Sequence, residues 1–92
     1  MIALGETVQI ECTITDFNGN LVDPDSHEIK IYDPSGTLIL TFDSPTQKST
    51  GVYTFEFTIP EDGQVGLWKV VWKVVTGSYV GIEEKKFYVE KA

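Results

Sequence analysis

Apolar and polar residues alternate one by one through most of this chain, and no other feature constrains its fold as strongly. From Thr7 to Asp16 the apolar side chains occupy every second position, and the same pattern runs from Val52 to Ile59. Successive side chains of a β-strand point to opposite faces of the sheet, so each segment forms a strand with one buried face and one solvent-exposed face. No segment has the periodicity of an amphipathic helix. The pattern therefore predicts an all-β protein without helices.

Turn residues divide the alternating segments into six predicted strands. Asn18-Gly19 suits a tight reversal because both residues tolerate positive φ, and Asp33-Pro34-Ser35-Gly36 has the residues of a type I turn. We interpret Asp43 to Gly51 as a polar loop. The predicted strands are Thr7–Asp16, His27–Tyr32, Thr37–Phe42, Val52–Ile59, Leu67–Thr76 and Ile82–Glu90. Short strands at a spacing of about ten residues favour an antiparallel sandwich or barrel.

The most apolar strand supplies the centre of the predicted core. Trp68 and Trp72 share one face with Val70 and Val74, so we expect both indoles to lie between two sheets. A second contribution comes from one face of the third strand, namely Leu38, Leu40 and Phe42. In the last strand the phase of the residues before Lys85 stays open, because a glycine at position 81 permits a β-bulge. The charged run Glu83-Glu84-Lys85-Lys86 is typical of an edge strand protected against pairing with other sheets.

Size and charge limit the classes of function. A chain of 92 residues is one domain, spanning residues 1–92. Fourteen acidic and seven basic residues give a net charge of −7, which repels nucleic acid and anionic membranes. No apolar run is long enough for membrane insertion. The first residues contain no targeting signal, so the domain either works where it is made or was cut from a longer chain.

Short motifs recur in order along nearly the whole chain: Gly5-Glu6-Thr7-Val8, Asp16 to Gly19, Asp33 to Gly36, Gly51-Val52-Tyr53, Ile59-Pro60 and Gly66-Leu67-Trp68-Lys69-Val70. This series resembles the motifs of immunoglobulin-like domains in prokaryotic and viral surface proteins. The similarity is greatest to macroglobulin-type (MG2-like) modules, in which a GxY…P…GxWxV pattern spans the fifth and sixth strands. The resemblance implies an immunoglobulin-like antiparallel β-sandwich of six to seven strands. It also implies a first strand before Gly5, which only Met1 to Leu4 can supply.

The sequence contains no recognisable catalytic constellation. His27 lies between Ser26 and Glu28, and neighbouring residues on a strand point to opposite faces, so these three cannot form a nucleophile–base relay. Cys12 is the only cysteine and is in phase with apolar neighbours, which predicts a buried, slow-reacting thiol rather than a nucleophile. We expect no enzyme activity, no cofactor and no essential metal.

Calcium is the one metal for which candidate ligands exist. Asp16, Asp23 and Asp25, with Asn18, could surround a cation near one end of the domain. Their spacing matches no known calcium loop, and Asp and Asn are ordinary turn residues. The turn interpretation is therefore preferred.

Two interpretations of function follow. The first is a structural or protein-interaction module that belongs to a larger extracellular, cell-surface or phage-virion protein, as the resemblance implies. Its partner is a neighbouring domain or subunit. The alternative is a carbohydrate-binding module in which exposed aromatic side chains, namely Tyr32, Tyr79 and Tyr88, stack on sugar faces.

The candidate contact surface lies on the outward face of the most apolar strand. Val71 and Val75 occupy positions beside Lys69 and Lys73, where a solvent-facing strand usually carries polar residues. Tyr79, followed by Val80, is predicted to extend this strip across the next turn. Scattered surface valines that only reflect β-propensity are the alternative interpretation.

Overall fold

The computed structural model describes residues 2–91, which form eight strands in two sheets and no helix. The larger sheet has the order β1-β8-β7-β3-β4, and the smaller sheet has the order β2-β6-β5. The strands are β1 (Ile2–Ala3), β2 (Thr7–Thr13), β3 (Ser26–Tyr32), β4 (Leu38–Phe42), β5 (Thr46–Ser49), β6 (Val52–Thr58), β7 (Gly66–Thr76) and β8 (Tyr79–Glu90). The predicted all-β, immunoglobulin-like sandwich is confirmed.

Two short strands raise the count above the predicted six to seven. β5 lies inside the segment from Asp43 to Gly51, so the interpretation of that segment as a loop was wrong. All four of its residues are exposed, and a strand with no buried face leaves no alternation in the sequence. β1 is the first strand that the resemblance implied, and it pairs parallel to β8 in a sandwich whose other pairings are antiparallel.

β7 and β8 form a long hairpin without a bulge. Their register runs without interruption from Thr76 opposite Tyr79 to Gly66 opposite Val89. The phase before Lys85, which the sequence left open, is therefore regular, and Gly81 simply pairs with Val74. A bulge occurs instead between β3 and β4, where the register shifts between Ile31 and Tyr32.

The core lies where the inward faces of the two sheets meet. Trp68 and Trp72 are only 1% and 3% exposed, which confirms the predicted burial of both indoles. Leu40 and Phe42 pack against the core, but Leu38 is exposed. The prediction that Leu38 shares their face was wrong, because the bulge shifts its pairing to Tyr32.

Candidate interaction surface

The outer face of the smaller sheet is almost entirely polar. Thr7 on β2 shares a hydroxyl hydrogen bond of 2.7 Å with Thr58 on β6. The Lys48 ammonium lies 3.3 Å from the Glu11 carboxylate. The positions between these groups are polar as well, with half-buried Val52 as the apolar exception. The outer face of the smaller sheet is therefore a polar, solvent-exposed surface.

The outer face of the larger sheet is different along β7 and β8. Val75 lies directly opposite Val80, and Lys73 lies opposite Ile82. Residues opposite each other on antiparallel strands share a face, so the two valines and Ile82 belong to one surface. Ile82 is 67% exposed and Val80 is 58% exposed, whereas Val75 is half-buried. We call Val75, Val80 and Ile82 the outer apolar strip.

Val71 lies at the margin of this strip, among charged neighbours. It pairs with Lys30 on β3 and with Glu84 on β8, and it is half-buried. Beyond it, the Lys69 ammonium lies 5.0 Å from the ring centroid of Tyr32, within the range of a cation–π contact. The strip is therefore bounded by charged residues toward the middle of the sheet.

Tyr79 does not belong to the outer apolar strip. It precedes Val80 in an uninterrupted strand, and adjacent strand residues point to opposite faces. The predicted extension of the strip from Val75 into Tyr79 is therefore corrected, and Ile82 takes that place. Tyr79 instead contacts Phe17, whose ring is perpendicular to it at a centroid distance of 4.9 Å.

A groove opens between the two sheets next to Tyr79. Its volume is about 330 Å³, and its walls are mostly apolar. Its lining includes Ile14, Phe17, Val22, Val74, Tyr79 and Gly81. Phe17 is 86% exposed. The groove exists in part because Gly81 presents no side chain toward Val74, where an added Cβ atom would lie 3.2 Å from Cγ2 of Val74.

The backbone of β8 has an open edge beside this groove. One edge of β8 pairs with β7 from Tyr79 to Val89. The other edge pairs only with β1, at Val89 and Glu90. Among the described residues no strand pairs with this edge from Tyr79 to Tyr88, so the prediction that Glu83 to Lys86 lie on a sheet edge is confirmed.

Two side-chain contacts join β8 to β2 across the gap between the sheets. The Cys12 thiol donates a hydrogen bond of 3.3 Å to the Glu83 carboxylate. Burial, followed by the hydrogen bond and the charge of Glu83, raises the pKa of Cys12 to about 12. The Lys85 ammonium donates to the carbonyl oxygen of Glu11. Cys12 is buried, as its phase predicted.

The three acidic calcium candidates act as separate hydrogen-bond acceptors in turns. Asp16 accepts from the backbone N–H groups of Asn18 and Asn20 at 2.9 and 3.0 Å. Asp25 accepts from the N–H group of Gly77 at 2.7 Å. Residues 2–91 contain no group of three acidic, His or Cys side chains that could hold a metal ion. The preferred turn interpretation therefore agrees with the contacts of these residues.

Asp23 connects a loop to the core. Its carboxylate accepts hydrogen bonds from the N–H group of Gly51 at 2.8 Å, the Tyr53 hydroxyl at 3.0 Å and the Gln47 amide at 2.9 Å. These bonds, led by the one from Gly51, hold the pKa of Asp23 below its usual value. The Tyr53 ring packs edge-on against His27 at 4.3 Å between centroids.

His27 is part of the packed structure rather than of a catalytic site. Its Nδ1 atom accepts a hydrogen bond of 3.2 Å from the indole N–H group of Trp72. Partial burial lowers the pKa of His27, although the charge of Asp23 acts in the opposite direction.

The three tyrosines proposed for sugar stacking do not lie on one face. Tyr32 pairs with Lys69 and Tyr88 pairs with Leu67, so both point to the outer face of the larger sheet. Tyr79 points to the opposite face, at the other end of β8. They therefore form no common platform.

Sequence reasoning did not identify Phe17 and Ile82 as surface residues of interest. Phe17 is a large apolar residue directly before the Asn18-Gly19 turn, and that position was the available signal. Ile82 became interpretable only through its pairing with Lys73, which no local pattern reveals.

The described part of the chain contains no helix with the length and apolar character needed to cross a membrane.

Comparison with known proteins connects this geometry to a family. The sequence model of the MG2 domain matches residues 4–89. No curated protein matches the chain significantly.

Among solved structures, native α2-macroglobulin of E. coli superposes with a TM-score of 0.79 and 22% identity, covering 99% of this chain and 5% of that one. The trypsin-activated form gives a TM-score of 0.76 and 20% identity, covering 96% and 6%. An endo-β-1,4-mannanase of Thermotoga petrophila gives 0.70 and 14%, covering 99% and 18%. The present chain thus spans a small part of each of these proteins, and identities this low show a shared fold.

Proposed function

Because the chain belongs to the MG2 domain family, we propose that this structural module docks against a neighbouring protein domain through the outer apolar strip. The module supplies no catalysis. Its parent is a larger macroglobulin-like protein, and a location outside the cytoplasm, in a secreted, cell-surface or virion protein, is part of the proposal. The partner is protein rather than carbohydrate, nucleic acid or membrane.

The difference between the two outer sheet faces carries this proposal. Both faces come from the same chain and the same alternation, yet the outer face of β2 and β6 is polar except for Val52, whereas β7 and β8 place Val75, Val80 and Ile82 side by side in outward positions. Contiguous exposed apolar surface with a charged margin is typical of protein interfaces. Val75, Val80 and Ile82 form such a surface, and the charged residues around Val71 supply its margin.

Charge substitutions on the two faces test the proposal. In the full-length parent protein, Val75→Glu and Ile82→Glu should separate the module from its neighbour, because docking would bury the new carboxylate. The matched control is Gln9→Glu, which adds the same charge to the polar outer face of β2. The readouts are protease sensitivity of the domain connection and the shape of the protein in small-angle X-ray scattering.

The melting temperature of each isolated variant checks that the fold is intact. We expect the two strip variants to remain folded and to lose docking, while the Gln9→Glu protein docks normally. If the strip variants dock as well as the parent does, the outer apolar strip is not the interface.

A further inference from the structure

The outer face of the larger sheet differs in charge from the domain as a whole. Its outward positions on β3, β7 and β8 carry four of the seven lysines, namely Lys30, Lys69, Lys73 and Lys86. Two glutamates, Glu28 and Glu84, lie among them. A third outward glutamate, Glu90, lies at the far end of β8, where β1 pairs. The face is therefore net positive, although the chain has a net charge of −7.

Two of these four lysines have no ion-pair partner in the domain. Lys30 and Lys86 have their ammonium groups 3.5 and 3.6 Å from carboxylates of their own strands. Among residues 2–91, no carboxylate lies within 4 Å of the ammonium group of Lys69 or Lys73. Lys73 lies opposite Glu28, but the Glu28 carboxylate pairs with Lys30 instead. Two unpaired cations on one strand are notable in a chain with twice as many acidic as basic residues.

These two lysines lie in line with the outer apolar strip. Lys73 is directly opposite Ile82 and two positions before Val75 on the same face. Lys69 precedes Lys73 by four positions, which is about 13 Å along the strand. A surface that covers the strip therefore reaches both ammonium groups at its border. Covering them removes water, which is unfavourable unless an opposite charge replaces it.

We infer that the neighbouring domain meets this face with an acidic surface, in which an apolar centre covers the outer apolar strip and carboxylates pair with Lys73 and Lys69. The inference rests on the proposed function, because it describes the partner of the same surface. Charge complementarity identifies the chemistry of that partner. A protein surface fits this face better than nucleic acid or an anionic polysaccharide. The chain has no arginine for bidentate phosphate binding, and the glutamates beside the strip repel anionic groups.

Charge reversal of the two lysines in the full-length parent protein tests the inference. Lys73→Glu and Lys69→Glu place a carboxylate against the carboxylates of the partner, so docking should weaken at least about tenfold. The rate at which a protease cleaves the domain connection measures this loss, because cleavage follows the undocked fraction. The matched control is Lys48→Glu, which makes the same change of charge on the outer face of the smaller sheet and should not affect docking. Melting temperatures of the isolated variants check that each one folds.

Ionic strength gives a second readout. Docking of the parent protein should weaken as NaCl rises from about 50 to about 500 mM, because salt screens attraction between partly exposed charges. The double variant Lys69→Gln/Lys73→Gln should lose most of this salt dependence, since it keeps the outer apolar strip but not the two cations. If the lysine variants dock as the parent does and salt has no effect, the partner surface is not acidic and the inference is overturned.

Val75→Glu separates the failure of this inference from the failure of the proposed function. If Val75→Glu abolishes docking while Lys69→Glu and Lys73→Glu dock normally, the outer apolar strip is the interface and only the acidic partner is wrong. If all three variants dock normally, both proposals fail.

Heparin and double-stranded DNA are the probes for a different class of partner. The 92-residue chain should bind neither at about 150 mM NaCl, because its net charge repels polyanions. Binding of either one that Lys73→Glu abolishes would make this face a polyanion site and overturn the assignment to an acidic protein surface.

Discussion

The two ends of the β7–β8 hairpin differ in how well their side chains are covered. At the end of the hairpin that contains the last residues of β8, Trp68 and Val89 are almost fully buried, and β1 pairs with the free edge of β8. At the end where β8 starts, Tyr79 and Val80 are more than half exposed, and the groove separates the sheets. We call these the closed end and the open end. Both are apolar, so composition alone does not distinguish them.

The difference shows how one hairpin provides both stability and a contact surface. Side chains at the closed end are removed from water within the domain, and their burial stabilises the fold. Side chains at the open end can be removed from water only by other polypeptide. The first set should therefore dominate the free energy of unfolding, and the second should dominate association.

The largest expected effect is the loss of an aromatic ring at the closed end. Trp68 packs against Phe57 and Phe87, and its indole N–H group donates to the carbonyl oxygen of Gln64 at 2.9 Å. Trp68→Ala should lower the free energy of unfolding by about 3–5 kcal/mol. Tyr79→Ala, the matching change at the open end, should cost about 1 kcal/mol or less. Chemical denaturation measures both, and equal losses would contradict the distinction between the two ends.

A glycine at the open end offers a second test, of backbone rather than side-chain packing. Gly51 has φ of +74°, and an added Cβ atom would lie 2.8 Å from the carbonyl oxygen of Ile14. Gly51→Ala should therefore cost about 2 kcal/mol or more, through left-handed strain and the clash.

Gly19 provides the control for this substitution. Its φ is +84°, but no atom lies within 4 Å of an added Cβ atom. Gly19→Ala should show only the conformational cost of about 1 kcal/mol. If the two variants melt at the same temperature, the loop that borders the groove is not held as closely to Gly51 as the structure indicates.

A smaller effect is expected from protonation of His27, which lies near the open end. Because the pKa of His27 is lowered in the folded protein, its contribution to stability is complete above about pH 6.5, the ordinary value, and is lost as the pH falls through the folded pKa. Protonated Nδ1 can no longer accept from Trp72. Asp23 and Tyr53, which also lie near the imidazole, keep their charge states in this range.

The control for this titration is His27→Gln, which keeps an acceptor but does not titrate. The melting temperature of the parent should fall between about pH 7 and pH 5, and that of His27→Gln should fall less. Parallel curves for the two proteins would show that His27 does not contribute to the acid sensitivity.

The closed end was more predictable from sequence than the open end, for a physical reason. Trp68, Trp72 and their neighbouring valines alternate strictly, and burial between two sheets imposes that alternation. The charged run from Glu83 to Lys86 did indicate a sheet edge, but the groove and the strand β5 depend on pairing between distant segments, which no local pattern encodes. The misplacement of Tyr79 has the same origin, since the sequence left the register around Gly81 open, and only the pairing with β7 sends Tyr79 to the inner side.

The smallest expected effect concerns Cys12, a buried residue of β2 whose thiol contacts Glu83 on β8 across the gap between the sheets. Its raised pKa, about 12, comes first from burial and then from Glu83. The parent should therefore react far more slowly with a thiol reagent than the unfolded chain does, because only the thiolate is nucleophilic. Glu83→Gln removes the neighbouring charge but leaves the burial, so labelling should accelerate only a few-fold. If Glu83→Gln instead labels as fast as the unfolded chain, the open end extends to Cys12, and the carboxylate rather than packing protects the thiol.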